Sequence, residues 1–224
     1  MEADSYRIFL LSPANVGGKR ARMLLNPAAE FELALRLRAG AKVALGEAFA
    51  FMSGLYFRGK LAYARAFARV PNGQDGVLII TSNRGLVSAD VPVTAEELRS
   101  FSAVPIDARD ERYSRPLVRD ALALAAVCSN DCSIVLLGSI ASGKYVDHLL
   151  PIFGGRLHFP YEFVGRGDMS RGGLLLRSVV ADQMLTHVPL DGAVRRGQRP
   201  PRLDLTKTGI AAGDVAHAFK NGMP

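Results

Sequence analysis

The sequence predicts an α/β fold, a three-layer α/β/α sandwich around a mostly parallel four-stranded central sheet. Two observations carry this. Four short apolar runs, RIFLLS (7–12), VLIITS (77–82), SIVLLG (133–138) and RLHFP (156–160), are bounded by turn residues and lack the alternation of a half-exposed strand, so both faces of each are expected to be buried. Helical patterns lie between them, and parallel strands need such crossovers. At 224 residues, 49% hydrophobic and 22% charged, the chain has the size and composition of one globular domain, which excludes general disorder, a coiled coil and a collagen-like polymer.

The helical elements follow in order. EFELALRLRAG (30–40) has apolar residues at helical spacing, a Glu32 to Arg36 pair at i, i+4 and Gly40 as a stop. LYFRGKLAYARAFA (55–68) is the next. TAEELRSF (94–101) opens with Thr94 and Glu97 at capping-box spacing. YSRPLVRDALALAAV (113–127), KYVDHLLPIF (144–153) and SRGGLLLRSVV (170–180) complete the series. Residues 1–190 are read as a single domain and 191–224 as a basic extension, with RRGQRPPR (195–202) expected to leave the globular body.

Formal charge is +7, and 22 of the 28 basic residues are arginine, which suits an anionic partner. The excess is uneven. Residues 1–72 hold 11 basic and 5 acidic side chains, 73–190 hold 11 and 13, and 191–224 hold 6 and 3. Cys128 and Cys132 are too few for a four-ligand zinc site and are read as free cytosolic thiols. The apolar stretch near the N-terminus is too short for a signal-peptide core or a membrane span, which points to the cytoplasm and away from a membrane. No cofactor, metal or obligate protein partner is implied, and neither a Ser-His-Asp nor a metal-histidine arrangement is supported.

In a parallel sheet, ligands bind at the carboxyl ends of the strands, so the loops after each run carry the candidates. SPANVGGKRAR (12–22) offers Asn15, Lys19 and Arg20 beside two glycines, either an anion-binding turn or a polar connection. SNRGL (82–86) adds Arg84. GSIASGKY (138–145) matches the spacing of a phosphate-binding P-loop and offers Lys144, but Tyr145 stands where magnesium coordination needs Ser or Thr. FPYEFVGRGDMSRGG (159–173) brings Glu162, Asp168, Arg166, Arg171, Phe163 and Met169 together: carboxylates for acid–base work, arginines for phosphates and an aromatic ring for stacking. Asp168 also has the position of a helix N-cap. On the 55–68 helix, Tyr56, Arg58 and Lys60 are candidates, and Arg58, Arg65 and Arg69 form one stripe, either a phosphate track or a solvated face.

In order and content these loops resemble the uracil-DNA glycosylase-like superfamily across roughly residues 7–190. The most specific piece is IVLLGSIASGKYVDHLL, similar to the family's apolar strand followed by Leu-Gly-x-x-Ala and a helix, here Leu137, Gly138 and Ala141. Nearer still is the glycosylase-like domain attached to archaeosine-synthesis enzymes, with a Ser in the first loop, a helix carrying Leu55, Tyr56 and Lys60, and a strand ending before Arg84-Gly85-Leu86. The family's last-strand His-Pro-Ser motif is absent, and Gly-Arg-Gly-Asp-Met-Ser-Arg-Gly (165–172) stands in its place.

The resemblance implies a DNA glycosylase. Asn15 beside Pro13 would position water, Met169 would wedge into the base stack, and Arg166 and Arg171 would hold phosphates. N-glycosidic cleavage also needs a base turned out of the helix onto an aromatic platform, here Tyr56 or Phe163, and a group that stabilises the sugar cation, here Asn15, Asp168 or Glu162. Lys19, Arg20, Arg58, Lys60, Arg84 and Lys144 would frame the opening on DNA. The long last loop suggests a bulky modified base of the kind phages carry, hence a defence role. Alternatives are a non-catalytic nucleic-acid or nucleotide-binding or base-modification protein on the same fold, and a nucleotide-dependent transferase using Gly138 to Lys144.

Overall fold

The structure is a computed structural model and describes residues 6–71 and 74–198. The four expected runs form β1 (Arg7–Leu11), β3 (Val77–Ile80), β6 (Ser133–Leu137) and β7 (Leu157–Pro160). They are mutually parallel: β1 pairs with β3 and β6, and β6 with β7. The sheet nevertheless has six strands, because β4 (Leu86–Ser88) and β8 (His187–Pro189) add antiparallel edges, in the order β4-β3-β1-β6-β7-β8. At three residues each, these edges are too short to show a pattern in sequence. A separate two-stranded pair joins β2 (Val43–Ala44) to β5 (Pro92–Val93).

The continuous apolarity of the central strands reflects two cores. On β1, Phe9 and Leu11 face one and Ile8 and Leu10 the other. The first core takes α1 (Lys19–Leu24), α2 (Glu32–Arg38), α3 (Leu45–Ser53), α4 (Leu55–Phe67), α5 (Ala95–Ser102) and α8 (Asp168–Val180); the second takes α6 (Glu111–Val127) and α7 (Gly143–Phe153). The chain moves from β1 to β3 over the first face, then returns over the second to β6 on the other side of β1. Strand order therefore reverses between β1 and β6, and folds of this kind place their ligand crevice at the carboxyl ends of the strands at such a point.

Local signals explain the helices. The Thr94 capping box forms as expected: Thr94 Oγ1 accepts from the Glu97 amide at 3.1 Å, and Glu97 accepts from the Thr94 amide at 2.8 Å. The apolar stretch before residue 68 breaks at Gly54, whose φ of +63° separates α3 from α4. Arg36 pairs with Glu47 of α3, in a two-bonded contact at 2.7 and 3.1 Å, and not with Glu32 on its own helix. The expected arginine stripe is broken: Arg69 lies beyond the end of α4, and Arg65 is ion-paired with Asp90.

The stretch 195–202 was expected to leave the body, yet its first four residues lie on it. A β-carbon on Gly197 would stand 2.6 Å from Val164, and Ala193 just before them packs against the second core. The rest of the expected extension, 199–224, lies outside the described residues.

Candidate functional site

The crevice between β1 and β6 holds a buried polar cluster built from four elements. Ser12 follows β1 and donates its amide to the Leu137 carbonyl at 3.1 Å. Gly138 follows β6 at close quarters, since a β-carbon there would stand 3.1 Å from that of Ser12. Lys60 reaches in from α4. It is 1% exposed, and its Nζ donates to the Ser12 carbonyl at 2.5 Å and meets Ser12 Oγ at 2.8 Å. The amine also lies 4.6 Å from the Tyr56 ring centre and 4.8 Å from that of Phe57. Tyr145 of α7 is buried beside the Ser12 side chain.

α8 closes the cluster because Gly59 and Gly172 let it approach α4 backbone to backbone. This brings Arg171 and Asp168 over the cluster, ion-paired to each other at 3.7 Å. Among the described residues no carboxylate is ion-paired with Lys60. Burial pulls its ammonium down to about 7, with Asp168 resisting and Arg171 assisting. Burial also pushes the Tyr56 hydroxyl up to about 12 and raises that of Tyr145. Tyr56 Oη in the cluster, and Ser142 Oγ just before α7, are buried without a hydrogen-bond partner. Such atoms carry a desolvation cost that a ligand atom would offset.

The predicted residues divide by position. Tyr56, Lys60, Asp168 and Arg171 meet at this cluster. Lys60 was expected to touch phosphates from the surface; its burial excludes that, and its place on the apolar face of α4 beside Tyr56, Tyr63 and Phe67 is the reason. Phe163 is 1% exposed, with its ring packed against Tyr56 at 6.4 Å and beneath the Arg171 guanidinium at 5.3 Å, so it is core and offers no open stacking face. Asp168 is the first residue of α8, with Gly167 at the N-cap, and its side chain caps nothing. Asn15 is exposed three residues beyond Ser12, where its side chain accepts from the Gly17 amide at 3.0 Å and shapes the turn. Glu162 turns away, accepting from the Thr186 amide at 3.1 Å. It lines a separate cavity of about 750 Å³ with Arg166, Tyr161 and Val188.

Lys19, Arg20, Arg58, Lys144 and Met169 are exposed in the first turns of α1, α4, α7 and α8, at the rim of the crevice. Arg20 also donates to the Phe51 carbonyl. Arg166 donates to the Glu162 carbonyl, and Arg84 is neutralised by Glu97 at 2.6 Å. The start of α7 is not a phosphate cradle. The Asp147 carboxylate folds over Gly143 and brings negative charge to the place where a P-loop holds its ligand.

No protein-family model, curated protein or solved structure matches this chain. Among the described residues no helix is long and apolar enough to cross a membrane, and no group of three or more His, Cys, Asp or Glu side chains is placed to hold a metal ion.

Sequence reasoning missed Ser12 and Tyr145 as site residues and misassigned Lys60. The signal for Lys60 was available: its helical spacing from Tyr56 and Ala64 puts it on the buried face.

Proposed function

We propose that the protein is a DNA glycosylase that hydrolyses the N-glycosidic bond of a damaged or modified base. One observation carries the reading. The two loops on which the resemblance to uracil-DNA glycosylases rests lie side by side at the reversal of strand order, where Ser12 and Gly138 touch. That place in the fold combines a buried polar floor, a buried Tyr56 hydroxyl without a hydrogen-bond partner and exposed cations on the surrounding helix starts, features that suit extrusion of a base from DNA.

Of the three residues expected to serve the sugar, Asp168 is the carboxylate whose field reaches Lys60, Tyr56 and Tyr145. It therefore stabilises the developing sugar cation. Exposed Met169 stands beside it as the wedge. Tyr161, 61% exposed at the separate cavity that Glu162 and Arg166 line, has the open aromatic face that Phe163 lacks. A bulky modified base, hence a role against phage DNA, rests on the sequence of 159–173 alone: in the structure only residues 164–167 lie between a short turn at Tyr161–Phe163 and α8.

The test is incision of duplexes containing uracil, hydroxymethylated or glucosylated pyrimidines. Abasic product from any one supports the reading, and no product from all of them with DNA binding intact overturns it. The burial of both Tyr56 and Phe163 favours a second reading, a nucleic-acid-binding protein without turnover, and that outcome of the same assay would establish it.

A further inference from the structure

We propose that Ser12 and Lys60 form a proton-accepting pair that activates the water attacking the sugar, with Ser12 Oγ touching the water and Lys60 acting through Ser12. This rests on the glycosylase reading and assigns the step to residues other than Asn15. The geometry is specific. Lys60 Nζ is held by both oxygens of a single residue, the Ser12 carbonyl at 2.5 Å and the hydroxyl at 2.8 Å. A buried amine without a carboxylate partner is driven toward its neutral form. A neutral amine has two N–H groups and one lone pair; one N–H goes to the Ser12 carbonyl, and the lone pair accepts the Ser12 hydroxyl proton.

The step balances. The water oxygen bonds to the sugar anomeric carbon as the N-glycosidic bond breaks and its electron pair leaves with the base. The water proton passes to Ser12 Oγ, whose own proton passes to Lys60 Nζ. The resulting ammonium is stabilised by the flanking Tyr56 and Phe57 rings and by Asp168 from α8, while Arg171 from α8 opposes it and favours return of the proton to solvent. Tyr145 from α7 is raised by burial and stays neutral throughout. Lys60 is thus a positioning residue, and its neutral fraction sets the rate.

The experiment has two parts, both on the full chain. Carbon-13 NMR of labelled lysine side chains follows the Lys60 amine, which is expected to titrate near neutrality and to move in Ser12→Ala. Single-turnover base release from the uracil, hydroxymethylated and glucosylated duplexes is followed from about pH 5.5 to 9. The rate is expected to rise through neutrality and level off. Lys60→Arg, which cannot lose its charge, and Ser12→Ala are each expected to lose that rise and at least about 100-fold in rate, with DNA affinity unchanged. Ser12→Ala alone decides the point where Lys60→Arg does not fold.

A Lys60 amine titrating in the ordinary lysine range overturns the pair whatever is cleaved. An unaltered pH profile in Ser12→Ala overturns it and leaves the glycosylase reading standing. Failure of every duplex, with Lys60 titrating near neutrality, overturns the glycosylase reading and the water-activating use of the pair with it.

Discussion

A β-carbon on Gly59 of α4 would stand 2.7 Å from the carbonyl oxygen of Gly172 of α8, and one on Gly172 would stand 2.9 Å from the Leu55 carbonyl. Each helix has therefore surrendered its side chain at the point of closest approach. The crossing reaches the candidate site, because Tyr56 and Lys60 lie on α4 close to Gly59 while Arg171 adjoins Gly172 on α8, so it sets the distance between the buried cluster and the charged side chains over it. Gly59→Ala and Gly172→Ala are each expected to push the helices apart and to cost about 1–3 kcal/mol, the usual range for overpacking. Urea denaturation of the two variants measures this, and an unchanged midpoint would show that the crossing has slack. Under the proposed glycosylase reading, base release should fall as well, since Asp168 and Arg171 move with α8.

The central sheet was legible because its strands are buried on both faces and so carry an unbroken apolar signal. The edge strands were not: β4 and β8 are three residues long, and pairing with a long neighbour makes them strands, not their composition. The site was half legible. Loops at the carboxyl ends of parallel strands locate a ligand from topology alone, and that reasoning singled out Asp168 and Arg171, whereas Tyr56 came from the 55–68 helix. It failed where a polar residue was judged by its charge and not by its helix face. Lys60 reads as a surface cation until the neighbours at i−4 and i+4 are seen to be buried. Ser12 is visible in sequence only as the first-loop serine of the resemblance, and its contact with Lys60 is what marks it as a site residue.

His187 predicts how stability responds to acid. It is packed against Phe9 and Tyr63, its Nε2 is 2.9 Å from the Tyr63 hydroxyl, and burial, aided by the charge of Arg7, pulls its imidazole down to about 3. The unfolded chain takes up this proton below about 6.5 and the folded one does not. Stability is therefore fully present above pH 6.5 and is lost as pH falls toward 3, by an amount of order 3 kcal/mol. Chemical denaturation at a series of pH values should show His187→Gln flattening this acid limb; an identical slope in the variant would reject a neutral, buried His187.

Lys60 acts at higher pH with the same sign. Its folded value of about 7 lies below the ordinary 10.5, so the unfolded chain binds the extra proton between them and stability rises with pH over that window. Above pH 10 the trend reverses, because Tyr56, raised to about 12, keeps its proton in the folded chain only. Stability is thus expected to peak on the alkaline side of neutrality. Lys60→Met should abolish the rise between pH 7 and 10 while leaving the His187 limb in place. A rise that survives in Lys60→Met would have to come from another group.

The cap at Thr94 serves as a reference far from the chemistry. Both reciprocal hydrogen bonds are formed at the start of α5. Thr94→Ala should cost about 1 kcal/mol in thermal or urea denaturation and leave DNA affinity and base release untouched. A fall in activity would mean that α5 and the candidate site are coupled through the first core, which holds Leu98, Phe101 and Tyr56.

The rim cations can be separated by their partners. Lys19 and Lys144 begin α1 and α7, are exposed, and among the described residues neither is ion-paired with a carboxylate, whereas Arg84 is already paired with Glu97. A free cation releases a counterion when it meets a phosphate; a paired one must first break its own contact. Lys19→Ala and Lys144→Ala are therefore each expected to weaken binding to any duplex and to lower the salt slope of log affinity by about 1. Arg84→Ala should change neither quantity. Asp147→Asn removes the negative charge folded over Gly143 at the start of α7, so it should raise affinity most at low salt, where unscreened repulsion of the phosphate backbone is largest. Titrations of one fluorescent duplex at several salt concentrations compare all four variants. If Arg84→Ala alone changed the slope, the DNA would lie across the β3–β4 edge and not over the crevice.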